Sequence, residues 1–263
     1  MKKFIKKYLK KLGYEIKKSN KNQDFYNFPP EITLIDKEAI KQSEEFSMTG
    51  RLRMWSLIQS IKYVIKNNIE GDIVECGVWR GGNLILSQKI LTSLGINKKK
   101  IYGFDTFEGM TEPQDIDIDM HGRKSSDLMS KTKKINNRKD IWAYCDFETV
   151  SKNIENNTTF NSINLIKGDV KNTLIDNNLP KKISILRLDT DWYESTKIEL
   201  EKLYPLLSTG GILIIDDYGQ FKGCKKAVDD FLKDKPETLE LTGYPNESYE
   251  FVGGNHGGKI IIL

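Results

Sequence analysis

Four aspartates stand where two hydrophobic runs stop. Asp189 and Asp191 follow the apolar segment Ile183–Leu188, and Asp216 and Asp217 follow Gly211–Ile215. Read as neighbouring parallel strands, the two runs would bring all four acids to one rim, where open α/β sheets bind their ligands. Buried strands that deliver carboxylates to one place are costly unless a cation or a reaction needs them. Asp216 and Asp217 alternate in a strand, so they can share one ion only where the strand unwinds at its end. For Asp191 the competing role is the ordinary one of capping the helix expected from Trp192.

A second constellation lies upstream. The segment ECGVWRGG, Glu75 to Gly82, puts an acid and a glycine at the end of a strand and two glycines at the start of a helix. Such glycines let the backbone approach a ligand closely. Glu75 occupies the first glycine of the dinucleotide pattern G-x-G-x-x-G. A carboxylate there repels a pyrophosphate but accepts a hydrogen bond from an ammonium or a hydroxyl. Asp105, closing the next strand IYGFD, is placed to accept the hydroxyls of a ribose. Together these features suit an adenosine that carries a cationic amino-acid tail and no phosphates, which is the chemistry of S-adenosylmethionine.

The elements that must position these groups follow from periodicity and breakers. Strands are expected at Asp72–Gly77, Ile101–Asp105, Ile163–Lys167, Ile183–Leu188 and Gly211–Ile215, with two more near Thr238–Thr242 and Lys259–Leu263. Helices are expected near residues 36–46, 51–68, 83–94, 146–156 and 223–233, with one between the two aspartate-ended strands. In the second of these, Met54, Leu57, Ile58, Ile61, Val64 and Ile65 form a core-facing stripe. The alternation predicts an α/β, Rossmann-like, mostly parallel sheet with an antiparallel C-terminal edge and helices before it. Residues 1–45 read as an arm and linker, and residues 46–263 as the main domain. Residues 106–140 lack periodicity, and a loop of that length is expected to be a mobile lid.

Composition excludes several classes. The 263 residues carry a net charge of +4. Eight lysines (2, 3, 6, 7, 10, 11, 17 and 18) crowd the first eighteen residues, leaving a nearly neutral remainder with no nucleic-acid footprint. That segment also has an apolar stripe (Phe4, Ile5, Tyr8, Leu9 and Leu12), so it is expected to lie on an anionic membrane surface or dock on protein. Its lysines break any signal-peptide core, and no run of about 20 apolar residues exists. Cys76, Cys145 and Cys224 are widely spaced with no CxxC pair. Neither a zinc site nor a disulfide scaffold is expected, and a cytoplasmic location fits.

Four segments in order, ECGVWRGG, FDTFEGM (Phe104–Met110), LDTDWYEST (Leu188–Thr196) and IIDDY (Ile214–Tyr218), resemble the TylF/MycF-type macrocin O-methyltransferases. The resemblance spans roughly residues 46–235 and implies a class I methyltransferase that uses S-adenosylmethionine and Mg²⁺ to methylate sugar hydroxyls. By it, Glu75, Gly77, Gly81 and Gly82 line the methionine end of the cofactor, with Asn83 beside them. Asp105 takes the ribose, Thr106 and Phe107 flank the adenosine, and Gly168 and Asp169 close around the adenine. Residues 48–51 fold over the cofactor. Asp189, Asp216 and Asp217 match the metal triad. Asp189 is then the expected general base, with Asp191 as its competitor.

The acceptor is expected to be a sugar of an antibiotic or of a surface-polysaccharide precursor, free, nucleotide-linked or lipid-linked. A homo-oligomer is expected. His121 and Arg123 in the lid, His256, and the aromatic rings of Trp142, Tyr144 and Trp192 are further candidates for substrate contact. Two other readings compete. Tyr193 and Lys197 form the Y-x-x-x-K pair of short-chain dehydrogenases, though Glu75 and Pro180 stand where that family needs a glycine and a serine. A methyltransferase-like binding protein without chemistry is the other, and intact acids in all four segments argue against it.

Overall fold

In the computed structural model, the described residues are 28–136, 138, 140–159 and 162–233, with strand segments at 241–244, 248–252 and 259–262. The basic segment 1–18 and His256 lie outside them. The chain divides into two compact units, Met1–Ile32 and Thr33–Leu263. In the first, the described part is a turn in which Ile32 N–H donates to the Pro29 carbonyl at 3.0 Å.

The second unit is built on one sheet. Five parallel strands, β1 (Asp72–Cys76), β2 (Ile101–Asp105), β3 (Ile163–Lys167), β4 (Ile183–Leu188) and β5 (Leu207–Ile215), lie in the order β3-β2-β1-β4-β5. The edge beyond β5 holds three strands rather than two: β8 (Lys259–Ile262), β7 (Ser248–Val252) and β6 (Leu241–Tyr244). The β6/β7 and β7/β8 pairs are antiparallel, as an antiparallel edge requires, while β8 itself runs parallel to β5. The intervening β7, SYEFV, alternates polar and aromatic residues from Ser248 to Phe251, but it is only five residues long and lies within a stretch rich in Gly and Asn.

Helices α1 (Leu34–Ser43), α2 (Arg51–Lys66), α3 (Gly82–Ser93), α4 (Ser125–Ser130), α5 (Phe147–Asn157), α6 (Val170–Thr173), α7 (Tyr193–Leu203) and α8 (Lys222–Leu232) surround the sheet. Val74, Cys76, Leu186, Leu188, Leu213 and Ile215 pack with Leu200 and Leu203 of α7 and Val228 and Leu232 of α8. Side chains alternate along a strand, so Glu75 and Arg187 point to the opposite face. There α2 packs on β4 and β5. This is how two charged residues come to be buried inside otherwise apolar strands.

The register sets the rim. Cys76 pairs with Leu188 and Phe104, and Leu188 pairs with Ile215. The residues that follow, Gly77, Asp189, Asp216 and Asp105, therefore leave the sheet at one level. Backbone bonds stitch that level together: Gly77 N to Phe104 O at 2.9 Å, Asp189 N to Cys76 O at 2.9 Å, and Asp216 N to Leu188 O at 3.0 Å. Gly77 has φ +86°, and a Cβ there would overlap the Asp189 carbonyl. Only glycine lets the two strand ends approach this closely.

Candidate active site

Arg187 is the hub of the rim. It is 2% exposed. Its Nη1 donates to Glu75 Oε1 at 2.6 Å and to Asp189 Oδ2 at 2.7 Å. Its Nη2 donates to Thr49 Oγ1 at 3.1 Å and lies 3.0 Å from Asp216 Oδ1. Arg53, from the first turn of α2, adds a second cation, with Nη1 at 2.9 Å from Asp216 Oδ2. Asp216 thus faces two guanidinium groups. Burial pushes its carboxyl up, but Arg187 and Arg53 outweigh that and hold it below the usual range. Neither arginine stood out in the sequence, although a lone charge inside ISILRL and another in the apolar stripe of α2 each require a buried counter-ion.

The other three aspartates converge. Single carboxylate oxygens of Asp189, Asp191 and Asp217 lie within 4.8 Å of one another. Removal from water pushes all three carboxyls up, and they push one another up further, with Asp191 reaching about 7. Asp217 Oδ2 is buried without a donor. Three crowded carboxylates, one with an orphan oxygen, form a hard-oxygen donor set of the kind a divalent cation fits. The grouping differs from the expected Asp189, Asp216 and Asp217: Asp191 stands with the cluster, and Asp216 faces the arginines.

Asp191 is free to do so because it does not cap the helix. The N-cap position of α7 is Trp192, without a side-chain bond. Asp117 from the loop after β2 performs that task, its Oδ1 accepting from Tyr193 N at 2.9 Å. The backbone at Asp191 is left-handed, with φ +65°, a conformation uncommon outside glycine. Behind it, Thr190 Oγ1 donates to both oxygens of buried Glu199, at 2.9 and 3.1 Å.

A cleft of about 210 Å³ opens beside the cluster. Its lining includes Met48, Thr49, Gly77, Asp105, Thr106, Gly168 and Asp169 together with Asp189, Asp191, Asp216 and Asp217. Glu75, Asn83, Gly81 and Gly82 are not among the lining residues: Gly81 faces Ile154 and Val150, and Gly82 faces Phe46 and Ser47. Glu75 Oε1 accepts from Asn83 Nδ2 at 3.0 Å as well as from Arg187, while Oε2 is buried without a donor. Burial raises the Glu75 carboxyl against the pull of Arg187. An ammonium at this end would supply the missing donor, so the residues fit the methionine tail of S-adenosylmethionine.

Asp105 lines the cleft, but its carboxylate is turned to the backbone. Oδ2 accepts from Val78 N at 2.7 Å and Trp79 N at 3.0 Å, and Oδ1 accepts from Phe107 N at 2.7 Å. It shapes the glycine turn, and only Oδ1 retains room for a further donor. Phe107 packs edge-on against Phe147, with ring centroids 5.1 Å apart, outside the cleft. Asp169 caps α6 through Lys171 N at 2.9 Å.

Other candidates fall away from the cleft. Tyr193 donates to Asp230 and lies under Lys197 and Lys226 on the outer surface of α7 and α8, which removes the dehydrogenase pair. His121 is exposed, and Arg123 is bound to Asp119. Trp192 is buried against Phe221, its Nε1 donating to Thr111 O at 3.0 Å. Lys134 covers Trp142 and Tyr144. The loop after β2 contributes Gly109, Met110 and Thr111 to the cleft wall. All three cysteines are free and buried. Among the described residues no helix is long and apolar enough to cross a membrane.

Known proteins resemble this chain in sequence and fold. The chain is 33% identical over 186 residues to the demethyldecarbamoylnovobiocin O-methyltransferase of Streptomyces niveus, covering 70% of this chain and 67% of that one. It is 32% identical over 186 residues to the 8-demethyl-8-(2,3-dimethoxy-alpha-L-rhamnosyl)-tetracenomycin-C 4'-O-methyltransferase of Streptomyces olivaceus, with the same coverage. The solved structure of the O-methyltransferase NovP superposes with a TM-score of 0.66 at 29% identity, covering 78% of this chain and 80% of that one. The calicheamicin methyltransferase CalS11 shares the fold, with a TM-score of 0.54 at 21% identity over 85% of this chain and 93% of that one. The macrocin O-methyltransferase (TylF) family matches residues 6–242. With the glycine turn, the acidic rim and these relatives in agreement, the chain belongs to the macrocin O-methyltransferase family and is an S-adenosylmethionine-dependent O-methyltransferase.

Proposed function

We propose that this enzyme methylates a hydroxyl of a sugar-containing acceptor, and that Asp189 and Asp217 would hold a divalent cation, magnesium by the chemistry of these ligands. The observation that carries the reading is the convergence of Asp189, Asp191 and Asp217 within 4.8 Å on the wall of the cleft. Charge balance supports it. Glu75, Asp189, Asp191, Asp216 and Asp217, with Asp105 and Asp169 in the cleft wall, outnumber Arg53 and Arg187, and a cationic cofactor with a divalent cation would offset part of that excess. When bound, the cation would lower the pKa of an acceptor hydroxyl beside it. A sugar acceptor is favoured by the rhamnosyl group in the name of the Streptomyces olivaceus relative.

The chain's own residues divide the work. Glu75 and Asn83 hold the methionine end, and the Gly77 turn brings that end against Asp189. Arg187 occupies Asp189 Oδ2 at 2.7 Å, which fixes Asp189 in one orientation as a ligand. The base role expected for Asp189 passes to Asp191, which no arginine holds and which lies beside both ligands. Positioning supplies the rest, because methyl transfer needs an in-line approach of oxygen to the sulfonium carbon.

The test is transfer of labelled methyl from S-adenosylmethionine to a panel of glycosides, nucleotide-linked sugars and lipid-linked sugars, with mass spectrometry of the products. Asp191→Asn is expected to lower kcat by about 10²–10⁴-fold while S-adenosylhomocysteine still binds. Full activity in that variant, or transfer to non-sugar hydroxyls alone, would contradict the reading.

A further inference from the structure

We infer that Arg187 is a shared positioning residue that orients the cofactor acid Glu75 and the cation acid Asp189 through one nitrogen, so that loss of this one side chain weakens both ligands. The inference rests on the cofactor and cation reading above and goes beyond it by tying the two sites to a single buried group.

The geometry is specific. A guanidinium Nη carries two N–H bonds in a fixed plane. Those of Arg187 Nη1 go one to Glu75 Oε1 at 2.6 Å and one to Asp189 Oδ2 at 2.7 Å. Each carboxylate is thereby held by one oxygen and left with the other. The remaining oxygen of Glu75 is the buried one without a donor. The remaining oxygen of Asp189 is the one available to a cation on the cleft wall. Glu75 and Arg187 are direct register partners across β1 and β4, so the sheet fixes where the fork starts. Nη2 fixes where it ends, through Thr49 Oγ1 at 3.1 Å and Asp216 Oδ1 at 3.0 Å. At 2% exposure the guanidinium has no water to substitute for a lost partner. An ammonium cannot copy the arrangement, because lysine lacks the planar fork.

The experiment measures two affinities on the full chain, by calorimetric titration of S-adenosylhomocysteine and, separately, of Mn²⁺. Arg187→Met is expected to weaken both by about tenfold or more, the effect of losing hydrogen bonds to charged groups. Arg187→Lys, which keeps the charge, is expected to weaken both by a smaller factor. Glu75→Gln is expected to weaken S-adenosylhomocysteine alone, and Asp217→Asn to weaken Mn²⁺ alone. Ile185→Ala leaves a cavity in the same strand without touching either carboxylate, so both affinities should persist and separate positioning from general destabilisation. Should neither Arg187 variant fold by circular dichroism, Thr49→Val carries the same comparison, since it removes one of the two partners that fix Nη2. A folded variant of Arg187, or of Thr49 in that event, that loses one affinity and retains the other overturns the inference. A wild-type chain that binds neither probe overturns the underlying reading instead.

Discussion

Asp117 Oδ1 accepts a hydrogen bond from the Tyr193 amide at 2.9 Å, so the helix that follows the aspartate pair is capped from the loop after β2 and not by its own neighbour Asp191. The same carboxylate uses Oδ2 to accept from Gln114 N at 2.7 Å and is fully buried. One residue therefore anchors the cleft-wall loop and takes the capping role that Asp191 would otherwise fill.

Asp117→Ala should remove both bonds at once. A lost helix cap costs about 1 kcal/mol, and a buried amide left unpaired costs roughly 1–3 kcal/mol. Urea unfolding should show a loss within that combined range, with kcat falling as the loop and Asp191 loosen. Gly223→Ala is expected to act in the same direction, because a Cβ at Gly223 would overlap the Asp117 carboxylate. Unchanged unfolding midpoints in both variants would show that the cap is dispensable.

Gly77→Ala is expected to be severe. It forces a side chain into positive φ, at about 1–2 kcal/mol, and drives a Cβ into the Asp189 backbone, where overpacking adds about 1–3 kcal/mol. Thermal unfolding with and without S-adenosylhomocysteine checks it: a lower Tm and no stabilisation by the ligand are the expected results.

Much of this architecture was legible beforehand. The five parallel strands announced themselves as β-branched runs ending in acid or glycine, and their register delivers the acids to one rim as the spacing implied. The glycine turn after Glu75 was legible because Gly77, Gly81 and Gly82 follow the strand at turn spacing. The arginines were not. Arg187 lies in a strand whose other side chains are apolar, and Arg53 in an apolar helical stripe. Their partners are far away in sequence, as is Tyr193 for Asp117. Local periodicity carries no information about which distant acid a buried cation will meet. The grouping of the four aspartates depends on those distant partners, which is why neither the arginine contacts of Asp216 nor the freedom of Asp191 from the helix cap was legible.

Glu199, behind Thr190 of the rim, gives a further pH signature. It is buried, and burial pushes its carboxyl up to about 8 from an ordinary 4.5. A carboxyl raised on folding contributes stability that is complete below its unfolded value and is lost as pH rises through its folded value. Wild-type stability should therefore lose this contribution between about pH 4.5 and 8. Glu199→Gln keeps an acceptor for Thr190 and has no charge to bury, so its advantage over wild type should grow across that window and level off above it. Urea midpoints from pH 5 to 9 measure this, and a difference that stays flat would contradict it.

The central claim is that the acids at the ends of β4 and β5 hold a divalent cation beside the cofactor and that methyl transfer depends on it. The most direct measurement is the initial rate of methyl transfer to an accepted sugar before EDTA treatment, after it, and after Mg²⁺ is restored. The account predicts that the rate disappears with the chelator and returns with Mg²⁺ in wild type but not in Asp217→Asn. A rate that survives EDTA unchanged would contradict it.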